Sequence, residues 1–139
     1  MRIVFDTNVY IASLKEGTFT NDLLQVVLRK GSGFLIFISY EIFDELQGKL
    51  REFEGKKIIT SKQGETLLDA VTSTARFVPV REKIHLIKAD PDDDKILECA
   101  IAADANLIVS MDKDLLKLKQ YRNIAIVHPK TFSFMMPKI

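Results

Sequence analysis

The sequence predicts an α/β fold: a single domain built on an open parallel β-sheet of about five strands sandwiched by helices. Five short runs, Arg2–Phe5, Phe34–Ser39, Ala75–Val80, Leu107–Ser110 and Ile124–His128, read as strands. The clearest of them are apolar throughout, as strands covered on both faces must be. The segments between them carry apolar residues at helical spacing, and strands alternating with helices imply parallel pairing with helices on both faces.

Asn21 can cap a helix that carries Leu24, Val27 and Leu28 and stops before Gly31. Ser39 can cap the next, whose stripe is Ile42, Phe43, Leu46 and Leu50. A third follows Thr60 and Ser61 and includes Leu67, Leu68 and Val71, with Gly64 weakening its start. A fourth begins in Asp92-Asp93-Asp94 and continues through Ile96, Leu97, Ala100 and Ala103, and a short fifth runs from about Asp114 to Lys119. The sequence shows no repeat, low-complexity tract or linker, so residues 1–139 read as one unit.

Composition narrows the setting. At 139 residues with 47% apolar content, the chain can bury one core without staples and has no disordered character. Cys99 is the only cysteine, so no internal disulfide can form, and a reducing cytoplasmic location is expected. No apolar run is long enough to span a bilayer, and the apolar start Ile3-Val4-Phe5 stops at Asp6, too soon for a secretory signal. Twenty basic residues against 19 acidic ones leave no global field for nucleic acid, so any such contact must be local.

The placement of the acids is more informative than their number. Asp6 directly follows the first strand and Asp112 the fourth; Glu45 lies about two turns into the helix leaving the second strand. Asp94 falls in the first turn of the helix that leads into the fourth strand, so its position at the rim follows less directly. Open parallel sheets gather ligand sites outside the carboxyl ends of their strands. Carboxylates converging there would repel one another unless a cation joined them. Oxygen donors of this kind suit Mg²⁺ or Mn²⁺, and such an ion activates water against a phosphodiester.

At these residues the chain resembles the PIN-domain ribonucleases, and among them the toxin subunits of prokaryotic type II toxin–antitoxin systems. The resemblance rests on Ile3-Val4-Phe5-Asp6-Thr7-Asn8, on Ser39 followed six positions later by Glu45, on Asp90-Pro91-Asp92-Asp93-Asp94 before a helix, and on Ser110-Met111-Asp112-Lys113-Asp114-Leu115 after a strand. It is clearest over residues 1–132, leaving 133–139 as a tail. It implies a PIN-like sheet and a catalytic metal site of Asp6, Glu45, Asp94 and Asp112, with Asn8 and Asp114 close by as outer-sphere or substrate contacts. Asp93 competes with Asp94 for the third place, and the register of Ile96-Leu97 selects Asp94. The resemblance also implies Mg²⁺ or Mn²⁺, an RNA substrate, a cognate antitoxin that occludes the site, and a homodimer or higher homo-oligomer. Ser110 stands where the family has Thr, which keeps the hydroxyl. Asp104 stands where Gly is frequent, and the sequence assigns it no role.

Each acid also has a duller reading. Asp6 can cap a short following helix, and Asp92, Asp93, Asp94, Asp112 and Asp114 all suit helix N-termini. Glu45 can pair with Lys49 at i,i+4 for about 0.3 kcal/mol. These readings explain the residues singly but leave their joint order a coincidence. A receiver-type signalling domain would need an Asp after the third strand, where Val80-Arg81-Glu82 has none. A haloacid-dehalogenase-type phosphohydrolase would need an acid where Asn8 stands. A catalytically silent PIN-like module binding RNA or a partner is the remaining alternative.

The expected reaction is endonucleolytic hydrolysis by metal-activated water. Arg29-Lys30, Lys56-Lys57 and Lys113 with Lys117 are candidate backbone contacts. His85 and His128 read as surface or strand-end residues. The tail Phe132-Ser133-Phe134-Met135-Met136 either packs on the core or offers a dimer or antitoxin surface.

Overall fold

The computed structural model describes residues 1–15, 17–29, 31–87 and 91–136. In chain order these form β1 (Arg2–Phe5), α1 (Thr7–Ala12), α2 (Phe19–Val27), β2 (Leu35–Ser39), α3 (Tyr40–Gly55), α4 (Ser61–Thr74) and β3 (Arg76–Val78). A 3-10 turn (Pro91–Asp93) then leads into α5 (Asp94–Ala102), β4 (Leu107–Val109), α6 (Lys113–Leu118), β5 (Gln120–Tyr121), β6 (Ile124–Val127) and α7 (Pro129–Ser133).

The sheet runs β3-β2-β1-β4-β6-β5. All neighbouring pairs are parallel except β5 with β6. The fold is therefore the expected α/β class, with six strands among the described residues where about five are read from sequence. The sixth is the two-residue edge strand β5, returned into β6 by Arg122 and Asn123, both at positive φ (46° and 69°). The register Ile3↔Ile36 and Ile3↔Leu107 places β1 at the middle of the apolar layer. Ile3, Val4, Ile108 and Val109 are wholly enclosed there by helices.

Local chemistry sets the helix starts. Thr18, not Asn21, caps α2, accepting from the Asn21 amide at 3.3 Å. Ser39 caps α3 through the Ile42 amide at 3.1 Å. Thr60 and Gln63 close a capping box on α4. Asp104 has φ 50°, the left-handed region that Gly enters freely and Asp tolerates, which accounts for an acid where a glycine is frequent.

The tail divides. Phe132 is completely buried on α7 and meets Phe5 and Phe34 edge-on at 5.9 and 5.4 Å, while Phe134 is 88% exposed. Cys99 is buried, and burial pushes its thiol up to about 12, so it is inert packing. Among the described residues no helix is long and apolar enough to cross a membrane.

Candidate metal centre at the seam of β1 and β4

The strand order reverses at β1: β2 and β3 lie to one side of it, β4 and β6 to the other. The carboxyl ends of β1 and β4 thus flank the switch point where open sheets take ligands. The Asp6 amide donates to the Val109 carbonyl at 2.9 Å, which carries the seam one residue past β1 and brings Asp6 beside the exit of β4.

Asp6 is 6% exposed and occupies the N-cap position of α1, but its side chain makes no capping hydrogen bond. It accepts instead from the Ser110 hydroxyl, Oγ to Oδ2, at 2.7 Å. The Ser110 oxygen in turn accepts from the Asp112 amide at 3.0 Å. One buried serine therefore couples the two acids across the seam. Burial holds the Asp6 carboxyl above its ordinary range; the Ser110 bond and the Lys49 charge pull it down, and the Glu45 charge pushes it up.

Asp112 does cap α6, its Oδ1 accepting from the amides of Asp114 and Leu115 at 2.8 and 3.3 Å. Capping occupies one oxygen and leaves the carboxylate a second. One carboxylate oxygen from each of Asp93, Asp112 and Asp114 lies within 4.8 Å of the other two. An octahedral Mg²⁺ with ligands at about 2.1 Å spaces neighbouring oxygens about 3 Å apart, so modest side-chain rotations close this triad around an ion. Three hard, partly desolvated oxygens fit Mg²⁺ or Mn²⁺ and match no soft metal.

Glu45 forms the i,i+4 pair with Lys49, at 3.4 Å, and its charge also acts on Asp6, so it faces the same rim. Asn8 reaches it too, with Oδ1 accepting from Lys49 Nζ at 3.2 Å.

Asp94 is placed differently from expectation. Its Oδ1 accepts from the amides of Leu86 and Ile87 at 3.2 and 2.9 Å. One turn later the buried Glu98 accepts from the Ile84 amide at 2.9 Å. The two carboxylates bind the segment 84–87, which has no sheet partner for these amides, against α5. The 3-10 turn is the reason: it ends at Asp93, so Asp93 meets Asp112 and Asp114 while Asp94 opens α5 with its side chain on the loop. Glu98 went unread in the sequence, where an acid among Leu97, Cys99 and Ala100 on an apolar helix was the available signal.

Of the basic candidates, Lys113 and Lys117 are exposed on α6 beside Asp112. Lys56 is paired with Glu52 at 2.9 Å. Lys30, like Asp90 of the third motif, lies outside the described residues. His128 caps α7 through Nδ1, a structural role.

Asp6 carries a pH consequence. A carboxyl with a raised folded pKa holds its proton more tightly in the native than in the unfolded chain. Metal-free protein should therefore lose stability as pH rises from the ordinary carboxylate range through Asp6's raised value. Asp6→Asn should flatten that slope in urea midpoints measured in EDTA from about pH 4 to pH 7.

No curated protein matches the chain. Among solved structures it is similar to a chain of the crystal structure of VapBC2 from Rickettsia felis bound to a DNA fragment from their promoter. The two share 17% identity at a TM-score of 0.63, over 92% of this chain and 98% of that one, a likeness of fold. The family model described as PIN domain matches residues 2–114, from the first strand through the last acid of the triad, and the chain belongs to the PIN-domain family.

Proposed function

We propose that the protein is a Mg²⁺- or Mn²⁺-dependent endoribonuclease that hydrolyses RNA phosphodiester bonds, acting in the cytoplasm as the toxin of a toxin–antitoxin pair. The observation that carries this reading is the convergence of Asp93, Asp112 and Asp114 to within 4.8 Å beside the Ser110-linked Asp6, at the switch point of a PIN sheet. Asp93, Asp112 and Asp114 would hold the ion, with Asp6 and Glu45 completing the negative rim. Asp93 takes the place that the sequence offers to Asp94, because it is the Asp93 carboxylate that comes within 4.8 Å of Asp112 and Asp114, while Asp94 turns its Oδ1 to the amides of Leu86 and Ile87. When bound, the ion would lower the pKa of water and offset charge on the phosphate.

The chain's own groups do the rest. Ser110 fixes the Asp6 carboxylate by a hydrogen bond and the Asp112 backbone by another. Glu45 faces the rim at 20% side-chain exposure and can accept a proton from water. Lys113 and Lys117 can meet substrate phosphates at the mouth of the site. An antitoxin covering this rim, and self-association of the chain into a homodimer, belong to the same reading. The VapBC2 likeness supports it at the level of fold.

The test is cleavage of single-stranded RNA with Mg²⁺ or Mn²⁺, with EDTA as control. Cleavage should require the ion and cease in EDTA. Cutting that proceeds equally in EDTA would overturn the proposal.

A further inference from the structure

The helix that carries Glu45 shows a second face to the rim. Glu45 and Lys49 turn toward Asn8 on α1, while Tyr40 and Phe43 turn toward β3, where both meet the Phe77 ring. Phe43 meets it edge-on at 5.1 Å, and Tyr40 leans over it at 5.3 Å with 38° between the planes. Phe77 is thus held from two directions, yet Tyr40 stays 56% exposed. Of the exposed aromatic residues described, Phe19, Tyr40 and Phe134, only Tyr40 directly follows a strand. The register Val4↔Phe37 puts Asp6 level with Ser39 at the end of β2, and Tyr40 comes next. Phe77 lies level with Ile38 one strand further out. Two strand spacings of about 4.8 Å therefore put the backbone beneath these rings roughly 10 Å from that of Asp6.

We propose that Tyr40, backed by Phe77, is a stacking platform for an unpaired base of the substrate RNA beside the scissile phosphate. This rests on the RNA-cleavage reading given above. Single strands are gripped by cations along the backbone and by aromatic faces under the bases. Here the two kinds of contact lie on opposite sides of the acids: Lys113 and Lys117 on α6 beyond β4, the rings at the ends of β2 and β3. A strand crossing the rim can meet both. A duplex keeps its bases stacked on one another and has none to offer the ring, so the platform selects unpaired RNA. The contact with Phe77 fixes the Tyr40 ring in advance, which lowers the ordering cost when a base arrives. Its exposure lets it be replaced without opening the core.

Cleavage kinetics in Mn²⁺ on a single-stranded RNA oligomer with a mapped cut position test the assignment. Tyr40→Ala should raise KM about 5- to 100-fold, the range that loss of one stacked base produces, and Tyr40→Trp should restore it. An abasic nucleotide stepped along the oligomer should reproduce the loss at one position with wild-type protein and add nothing there with Tyr40→Ala. Ala is a good helix former, and an unchanged circular dichroism spectrum will show that α3 is intact. An unchanged KM in Tyr40→Ala, or abasic and Tyr40→Ala losses that add at every position, would overturn the platform while leaving the nuclease reading standing. A raised KM accompanied by a change of oligomeric state in sedimentation would assign the rings to self-association and overturn it equally. No cleavage by the wild type would remove the nuclease reading and this proposal together.

Discussion

Replacing Asp112 with Asn should abolish metal-dependent RNA cleavage while leaving the fold intact. The cap on α6 uses only Oδ1, which accepts from two amides, and an Asn side chain retains a carbonyl oxygen for that task. The substitution therefore removes one charge and one oxygen donor from the Asp93–Asp112–Asp114 triad with little cost in stability. Groups that merely orient metal ligands commonly contribute 10- to 100-fold in affinity or activity. Loss of a ligand should accordingly weaken Mn²⁺ binding and cleavage by at least about 100-fold. The pairing of a cleavage assay with a melting curve checks both halves. Asp112→Asn protein that cuts at the wild-type rate would exclude Asp112 from the chemistry. A melting temperature several degrees lower in EDTA would show that its place is structural.

Asp94→Ala should do the reverse and act first on stability. Asp94 Oδ1 accepts two amides, and the one from Ile87 is buried. Hydrogen bonds to a charged group contribute about 1.5–3 kcal/mol each, and a buried amide left without an acceptor costs a similar amount. A loss of about 3 kcal/mol is expected, read as a fall in the urea midpoint at an unchanged m-value. Asp93→Asn, its neighbour in sequence, should act on metal binding, since it removes one charge and one oxygen donor from the triad. If the two substitutions exchanged these effects, the positions of Asp93 and Asp94 would have to be exchanged as well.

That pair marks where sequence reading stopped. Strands β1, β2, β4 and β6 are legible because they are apolar without alternation, and α3 and α4 because each begins at a hydroxyl cap followed by an apolar stripe. Asp6 is legible because it ends the first apolar run, and Glu45 because Ser39 sets the register of its helix. Asp92, Asp93 and Asp94 are three acids that all favour a helix start, so propensity cannot separate them. The 3-10 turn that does so is decided by tertiary packing. Nor could β5 be read: its return turn uses Arg122 at positive φ, where a hairpin normally shows Gly, Asn or Asp. Gly64 reads from sequence as a weakness in α4, yet the Thr60–Gln63 capping box starts the helix regardless; a Cβ at 64 would meet Glu54 Oε1 at 2.6 Å, the far end of a flexible side chain that can swing aside.

The serine bridge has a bearing on the life of the chain before it is finished. Ser110 and Asp6 stand 104 residues apart, and the acids brought near each other come from both ends of the polypeptide. A ribosome-bound fragment that has not yet emitted β4 carries Asp6 and Glu45 but neither Asp112 nor Asp114. Translation order therefore sets when the rim can exist at all: the set of acids is complete only after β4 and the start of α6 have been made.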